Sequence, residues 1–243
     1  MHAKQLDGQT VIVVGASSGM GRAIAVALAR EGAHVVAAAR RAERLVELER
    51  QLRNEGWSIE TCVMDVANPD DVGRMIEQAR RRTGRIDLLV YATGTNLPAR
   101  DLSALSHDNW LRLLETNLTG AFACTQAVLP VMRAARNGLI VYLSSGCVQM
   151  PDVSGVAYQA SKHGLVGLAH GARVEEKSNG IRTTVLFPGL CDTEILAQRQ
   201  VPTPREVLDH ALVPEDVAEA VLFLARLPAR AVVPEMQLLP ARL

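Results

Sequence analysis

Short runs of β-branched and aliphatic residues alternate along the chain with stretches of helical apolar spacing. "TVIVVG" (10–15) runs into a glycine-rich turn. "GRAIAVALAREGA" (21–33) follows, with Ile24 and Leu28 one helical turn apart and Gly32 as a stop. "HVVAAAR" (34–40) reads as a second strand and "AERLVELERQLRNEG" (42–56) as a charged helix. "SIETCVMDV" (58–66) precedes a helix that Asn68 can cap and Pro69 can open. "IDLLVYATG" (86–94) and "GLIVYLSSG" (138–146) flank one long helical segment from about Ser106 to Ala135. "IRTTVLFPG" (181–189) is a sixth strand, and "AVVPEMQLLP" (231–240) supplies a seventh.

Repeated βα units with near-continuous Val/Ile/Leu strands predict a parallel sheet with helices on both faces. Right-handed crossovers make such a sheet doubly wound, with ligands at its carboxyl edge. The expected fold class is therefore α/β, with about seven strands. No linker, repeat or low-complexity tract divides residues 1–243, so a single domain is expected. The segment 190–213, broken by Pro202 and Pro204, reads as a short substrate lid.

Composition narrows the function. Basic and acidic residues balance at 26 each, which gives no signal for nucleic acid or an anionic membrane. No stretch approaches a membrane span, and the N-terminus lacks a signal-type apolar run. Cys62, Cys124, Cys147 and Cys191 are scattered without C-x-x-C or histidine pairing. They read as thiols of a reducing compartment, which makes the cytoplasm the expected location, and no metal site is expected.

"VVGASSGMGRA" places Gly15, Gly19 and Gly21 between the first strand and its helix. Glycine there permits a tight turn and lets backbone N–H groups approach a pyrophosphate at the positive helix end. At the end of the second strand a carboxylate would bind a free ribose 2′-OH and repel a 2′-phosphate. This chain has Ala39-Arg40-Arg41 instead. Arg40 is placed to pair with a phosphate in forked geometry. Arg41 fits either that role or the solvated start of the next helix. Asp65, at the end of the third strand, can accept from an adenine amino group or cap a turn. Gly94 would let backbone pass close to a cofactor.

Tyr158 and Lys162 in "YQASK" lie four residues apart and so share one helix face. The chain holds only three tyrosines and three lysines, so chance gives this spacing with probability of about 0.04. Ser145, thirteen residues earlier at the end of the fifth strand, could polarise a carbonyl facing the tyrosine. Asn117 sits in a helical run where asparagine is unfavourable, which points to a buried hydrogen-bonding role or to a kink.

In this order the glycine motif, strand-end aspartate, mid-helix asparagine, serine and Y-x-x-x-K resemble the short-chain dehydrogenase/reductase family over essentially the whole chain. The resemblance implies a Rossmann-type fold and a catalytic tetrad of Asn117, Ser145, Tyr158 and Lys162. It implies NADP rather than NAD as cofactor, held by Gly15, Ser17, Ser18, Gly19, Met20 and Gly21 of the first loop. Arg40, Arg41, Asp65, Val66, Ala92 and Gly94 would contribute from the next strand ends. Tyr158 and Lys162 would contact the cofactor as well. "PGLCDT" resembles the family's segment beside the nicotinamide, which brings in Pro188, Gly189, Cys191 and Thr193. One departure is Tyr91-Ala92-Thr93-Gly94, where the family has Asn-Asn-Ala-Gly, so its usual bracing is missing. The C-terminal run resembles members that act on 3-hydroxy acids such as serine, with NADP.

The reading that follows is hydride transfer between nicotinamide and a secondary alcohol, ketone or hydroxy acid. Tyr158 serves as acid/base and Ser145 as holder of the substrate oxygen. Lowering a tyrosine pKa from about 10 to neutrality takes about 4 kcal/mol, and one cation at about 4 Å can supply that. Lys162 is the expected cation. A 3-oxoacyl-thioester reductase is the alternative enzyme, and a non-catalytic dinucleotide-binding regulator the alternative of another class. A homotetramer is expected from broad apolar helix faces. These faces carry Trp110, Leu111, Leu113, Leu114, Leu118, Ala121 and Phe122 on one helix, and Val156, Ala160, Leu165 and Leu168 on another. The last strand would offer a second apolar patch.

Overall fold

The computed structural model describes residues 5–242. Its strands are β1 (Thr10–Val14), β2 (His34–Ala39), β3 (Glu60–Val63), β4 (Leu88–Tyr91), β5 (Gly138–Leu143), β6 (Ile181–Pro188) and β7 (Glu235–Leu238). All pair in parallel in the order β3-β2-β1-β4-β5-β6-β7. The order reverses between β1 and β4, which opens a crevice at their carboxyl ends.

Each strand before β7 leads on to a helix because its apolar run ends in residues that turn or cap. The helices are α1 (Gly19–Arg30), α2 (Ala42–Asn54), α3 (Pro69–Thr83), α4 (His107–Leu114), α5 (Gly120–Ala135), α6 (Val156–Glu176), α7 (Arg205–Leu208) and α8 (Pro214–Arg226). The start of α3 is the one expected: Asn68 Oδ1 accepts from Asp70 N at 3.0 Å and Pro69 opens the first turn. Strand side chains alternate between the two faces. Val11 and Val13 pack with Leu28 of α1, Leu48 of α2 and Val221 of α8. Ile12 and Val14 pack with Met75 of α3, Val128 of α5 and Leu165 of α6. Burying each such side chain contributes about 1.5–3 kcal/mol, so both sheet faces hold the fold together.

The single long helix expected over 106–135 is interrupted. A π-helical turn, Glu115–Thr119, separates α4 from α5. Tyr91 explains part of the interruption, since its hydroxyl donates to the Thr116 carbonyl at 2.6 Å. This bond ties the end of β4 to the turn, a brace where the family's asparagines are missing.

Candidate active site

The loop from β1 to α1 is shaped by two glycines that touch. Gly15 has φ of 94°, and a Cβ on Gly21 would stand 2.2 Å from the Gly15 carbonyl oxygen. No other residue allows this approach, and the result is a groove at the N-terminus of α1. That groove is one end of a cleft of about 400 Å³ along the carboxyl edge of the sheet. Gly15, Ser17, Ser18, Gly19, Met20 and Gly21 line it, as do Arg40, Arg41 and Val66 from neighbouring strand ends. Farther along stand Ala92, Gly94, Thr193, Tyr158 and Lys162. These positions fit a dinucleotide: a cradle that a side chain would fill, a positive helix end, and arginines at the far side.

Four of the expected cofactor-binding residues do not line this cleft. Asp65 does not line the cleft. Its Oδ1 accepts from Ala67 N at 3.0 Å, and its other oxygen lies 4.0 Å from Arg40, so it caps a turn. Pro188, Gly189 and Cys191 line an adjoining pocket of about 270 Å³ instead, together with Ser145. Arg41, left with two roles by the sequence, is tied to the glycine loop. Its Nε and Nη2 donate to Ser17 Oγ at 3.2 and 3.0 Å, and Nη2 also reaches Ser18 Oγ. Arg40 extends into solvent beside it.

Tyr158 lines both the cleft and the adjoining pocket. It sits in the first turn of α6, where Lys162 follows one turn later. Ser145 stands two residues beyond β5, caps a short turn by accepting from Cys147 N at 3.3 Å, and lies near enough the Tyr158 hydroxyl to favour its ionised form. Burial pushes the phenol well above its usual pKa, and Ser145 opposes this only in part. Lys162 is not among the groups that shift the phenol here. Its Nζ is 5.7 Å from the ring centroid and donates to the Leu143 carbonyl at 2.9 Å. Burial lowers Lys162 itself to about 8.

Asn117 is fully buried in the π-helical turn and lines neither cavity. It accepts from Thr95 N at 2.8 Å and donates to Thr95 O and to Ser161 Oγ, each at 3.0 Å. The kink and the hydrogen-bonding role are thus one feature. Sequence reasoning missed Thr95, Ser144, Glu194 and Gln198. Thr95 directly follows the expected fourth strand and Ser144 lies within the expected fifth, but Glu194 and Gln198 carry no motif.

The segment 190–213 leaves the sheet and returns through a bridge between Cys191 and Leu212. Between these points lie the 3₁₀ turn Glu194–Gln198 and the short α7. Glu194, Ile195 and Gln198 line the cleft from this side.

Comparison with known proteins agrees with this architecture. The short chain dehydrogenase family profile matches residues 9–202. The 3-oxoacyl-[acyl-carrier-protein] reductase FabG of Thermotoga maritima is 31% identical over 226 residues, 91% of this chain and 92% of that protein. Glycine betaine reductase ATRR of Emericella nidulans is 31% identical over 97% of this chain, which spans only 19% of that protein. A metagenomic short-chain oxidoreductase crystallised in complex with NADP superposes with a TM-score of 0.84 at 31% identity, covering 98% of this chain and 99% of that one. The chain belongs to the short-chain dehydrogenase family. It is an oxidoreductase acting on CH–OH groups with NAD(P), and the reading as a non-catalytic regulator falls away. No helix among the described residues is long and apolar enough to cross a membrane.

Proposed function

We propose that this protein reduces a ketone, or oxidises the corresponding secondary alcohol or hydroxy acid, with NADP(H), and that Tyr158 transfers the proton. The observation that carries this reading is the position of Tyr158 at the junction of the cofactor cleft and the adjoining pocket, which Ser145 also lines. A carbonyl oxygen between Ser145 and Tyr158 meets two hydroxyl donors. A phenol held protonated by burial is suited to donate to an alkoxide forming there. When bound, the nicotinamide supplies or accepts the hydride.

Lys162 holds its proton weakly because it is buried, so it can exchange protons near neutral pH behind the tyrosine. Asn117 fixes the Thr95 backbone beside this path. The absence of a carboxylate at Ala39 and the guanidinium groups of Arg40 and Arg41 favour a 2′-phosphate, hence NADP(H) over NAD(H). The structurally similar oxidoreductase bound to NADP supports the same choice.

The FabG relative supports one further substrate class, 3-oxoacyl thioesters. A homotetramer in the cytoplasm completes the reading, supported by four unpaired thiols and by exposed apolar side chains on α4 and α5. Screening ketones, hydroxy acids and 3-oxoacyl thioesters for oxidation of NADPH and NADH tests the proposal. Turnover of none of them, in either direction, would overturn it.

A further inference from the structure

Outside the proton-transfer centre, one charged cluster joins parts of the chain that are far apart in sequence. Glu194 opens the 3₁₀ turn of the segment 190–213. Its Oε2 accepts from Arg41 Nη1 at 3.0 Å, and its Oε1 lies 3.5 Å from Arg44 Nη2. Arg41 is simultaneously bound to Ser17 and Ser18 of the glycine loop. The hydrogen bond from Arg41, with the charges of Arg41 and Arg44, holds the Glu194 carboxyl below its usual pKa, so it is anionic at neutral pH. The anion in the arginine cradle beyond β2 is thus a side chain of the lid.

We propose that Glu194 is a cofactor-selectivity residue: its carboxylate competes with the cofactor 2′-phosphate for Arg41 and Arg44, and a phosphate that takes these arginines unclasps the lid from the glycine loop. The inference rests on the reading that the 2′-phosphate is received by the arginines after β2. A cofactor with a free 2′-hydroxyl brings no charge to that place and leaves the Arg41–Glu194 pair intact. A 2′-phosphate brings close to two negative charges and three acceptor oxygens, a better match for guanidinium groups than one carboxylate. The lid keeps other attachments. Gln198 Oε1 accepts from Asn96 N at 3.2 Å, and the Cys191–Leu212 bridge pins both ends. Release of Glu194 therefore frees the middle of the segment and leaves its ends in place.

The size of the effect follows from exposure. Glu194, Arg41 and Arg44 are 53%, 43% and 44% exposed, so water and salt screen their attraction. Selectivity should change several-fold, more at low ionic strength than at high.

Fluorescence titration of the full chain with NADPH, NADH, 2′,5′-ADP and 5′-AMP tests the proposal. Glu194→Gln should tighten NADPH and 2′,5′-ADP by about three- to tenfold at low salt and change NADH and 5′-AMP by less than about twofold. Glu194→Ala should behave the same way, since the side chain lies at the surface. An unchanged or reduced NADPH-to-NADH affinity ratio in both variants overturns the inference. Limited trypsin digestion gives a second readout, because Arg199 and Arg205 lie in the lid. Cleavage there should be faster with 2′,5′-ADP than with 5′-AMP in the parent protein, and equal for the two ligands in Glu194→Gln. Equal cleavage with both ligands in the parent removes the coupling to the lid. The underlying reading fails separately: an Arg40→Ala, Arg41→Ala double variant with an unaltered NADPH-to-NADH ratio would show that the phosphate is not received there.

Discussion

Asn117 and Thr95 are joined by two hydrogen bonds, Thr95 N–H to Asn117 Oδ1 at 2.8 Å and Asn117 Nδ2 to the Thr95 carbonyl at 3.0 Å. The side-chain amide thus pairs with the backbone beyond β4 as a neighbouring strand would. The π-helical turn makes this possible, because an extra residue in the turn swings the amide inward. Asn117→Ala leaves the half-buried N–H and carbonyl of Thr95 without this partner, at up to about 1–3 kcal/mol each. We expect a fall in stability of about 2–3 kcal/mol, visible in denaturant melts, and a loss of kcat of about tenfold or more. A variant of parental kcat would confine Asn117 to a structural role.

Tyr158→Phe removes only the phenol oxygen and keeps the packed ring. Loss of a positioned general acid costs about 10²–10⁴ in rate, so kcat should fall below about 1% of the parent. Dissociation constants for NADPH should stay within about threefold, measured by fluorescence titration. Retention of more than a few per cent of kcat would remove the proton-donor assignment.

Lys162 is buried, and burial lowers it from 10.5 to about 8. A lysine with a folded-state pKa below its unfolded value opposes folding while it is charged. The full penalty applies below about pH 8 and is relieved between about pH 8 and 10.5, where the unfolded chain binds the extra proton. Relative to Lys162→Met, the parent should therefore gain stability with rising pH across that window, by up to about 3 kcal/mol. Parallel urea melts at several pH values measure the difference. A flat difference from pH 7 to 10.5 would show that the ammonium is better solvated than its burial indicates.

Gly21→Ala places a Cβ 2.2 Å from the Gly15 carbonyl oxygen, a backbone atom that cannot swing aside. The loop must open, which spoils the pyrophosphate cradle. We expect cofactor affinity to drop by about tenfold or more, with both NADPH and NADH affected. Selective loss of one cofactor would place the damage at the 2′-position instead.

Assembly is testable through the helix faces. Leu111 and Phe122 are 49% and 50% exposed, whereas Leu113, Ala121 and Leu165 fill the core. The outward residues of β7 are Glu235 and Gln237, while Val232 and Leu239 near the two ends of the run 232–240 are 42% and 44% exposed. Sedimentation at micromolar concentration should give a species of about four times the 26.2 kDa chain mass. Phe122→Glu should reduce it to a dimer or monomer. Sedimentation of the parent at the chain mass would refute assembly.

The sequence by itself determined the strands, their parallel sheet and a part of the groups that line its edge. Apolar runs such as Thr10–Val14 and the cap at Asn68 are local features, set by neighbours within a few residues. Tyr158 and Lys162 were legible for the same reason, since helical spacing alone places them together. Only the tertiary structure decided which of two adjacent arginines grips the glycine loop, because Arg41 meets Ser17 and Ser18 across the gap between β1 and β2. Only it showed that Asp65 caps a turn and that the helix through Asn117 breaks. Burial is likewise a property of the packed whole. It raises Tyr158 and lowers Lys162 through the removal of water by elements distant in sequence. Glu194 carries no motif, and it gains significance only where folding sets its carboxylate against Arg41, 153 residues away.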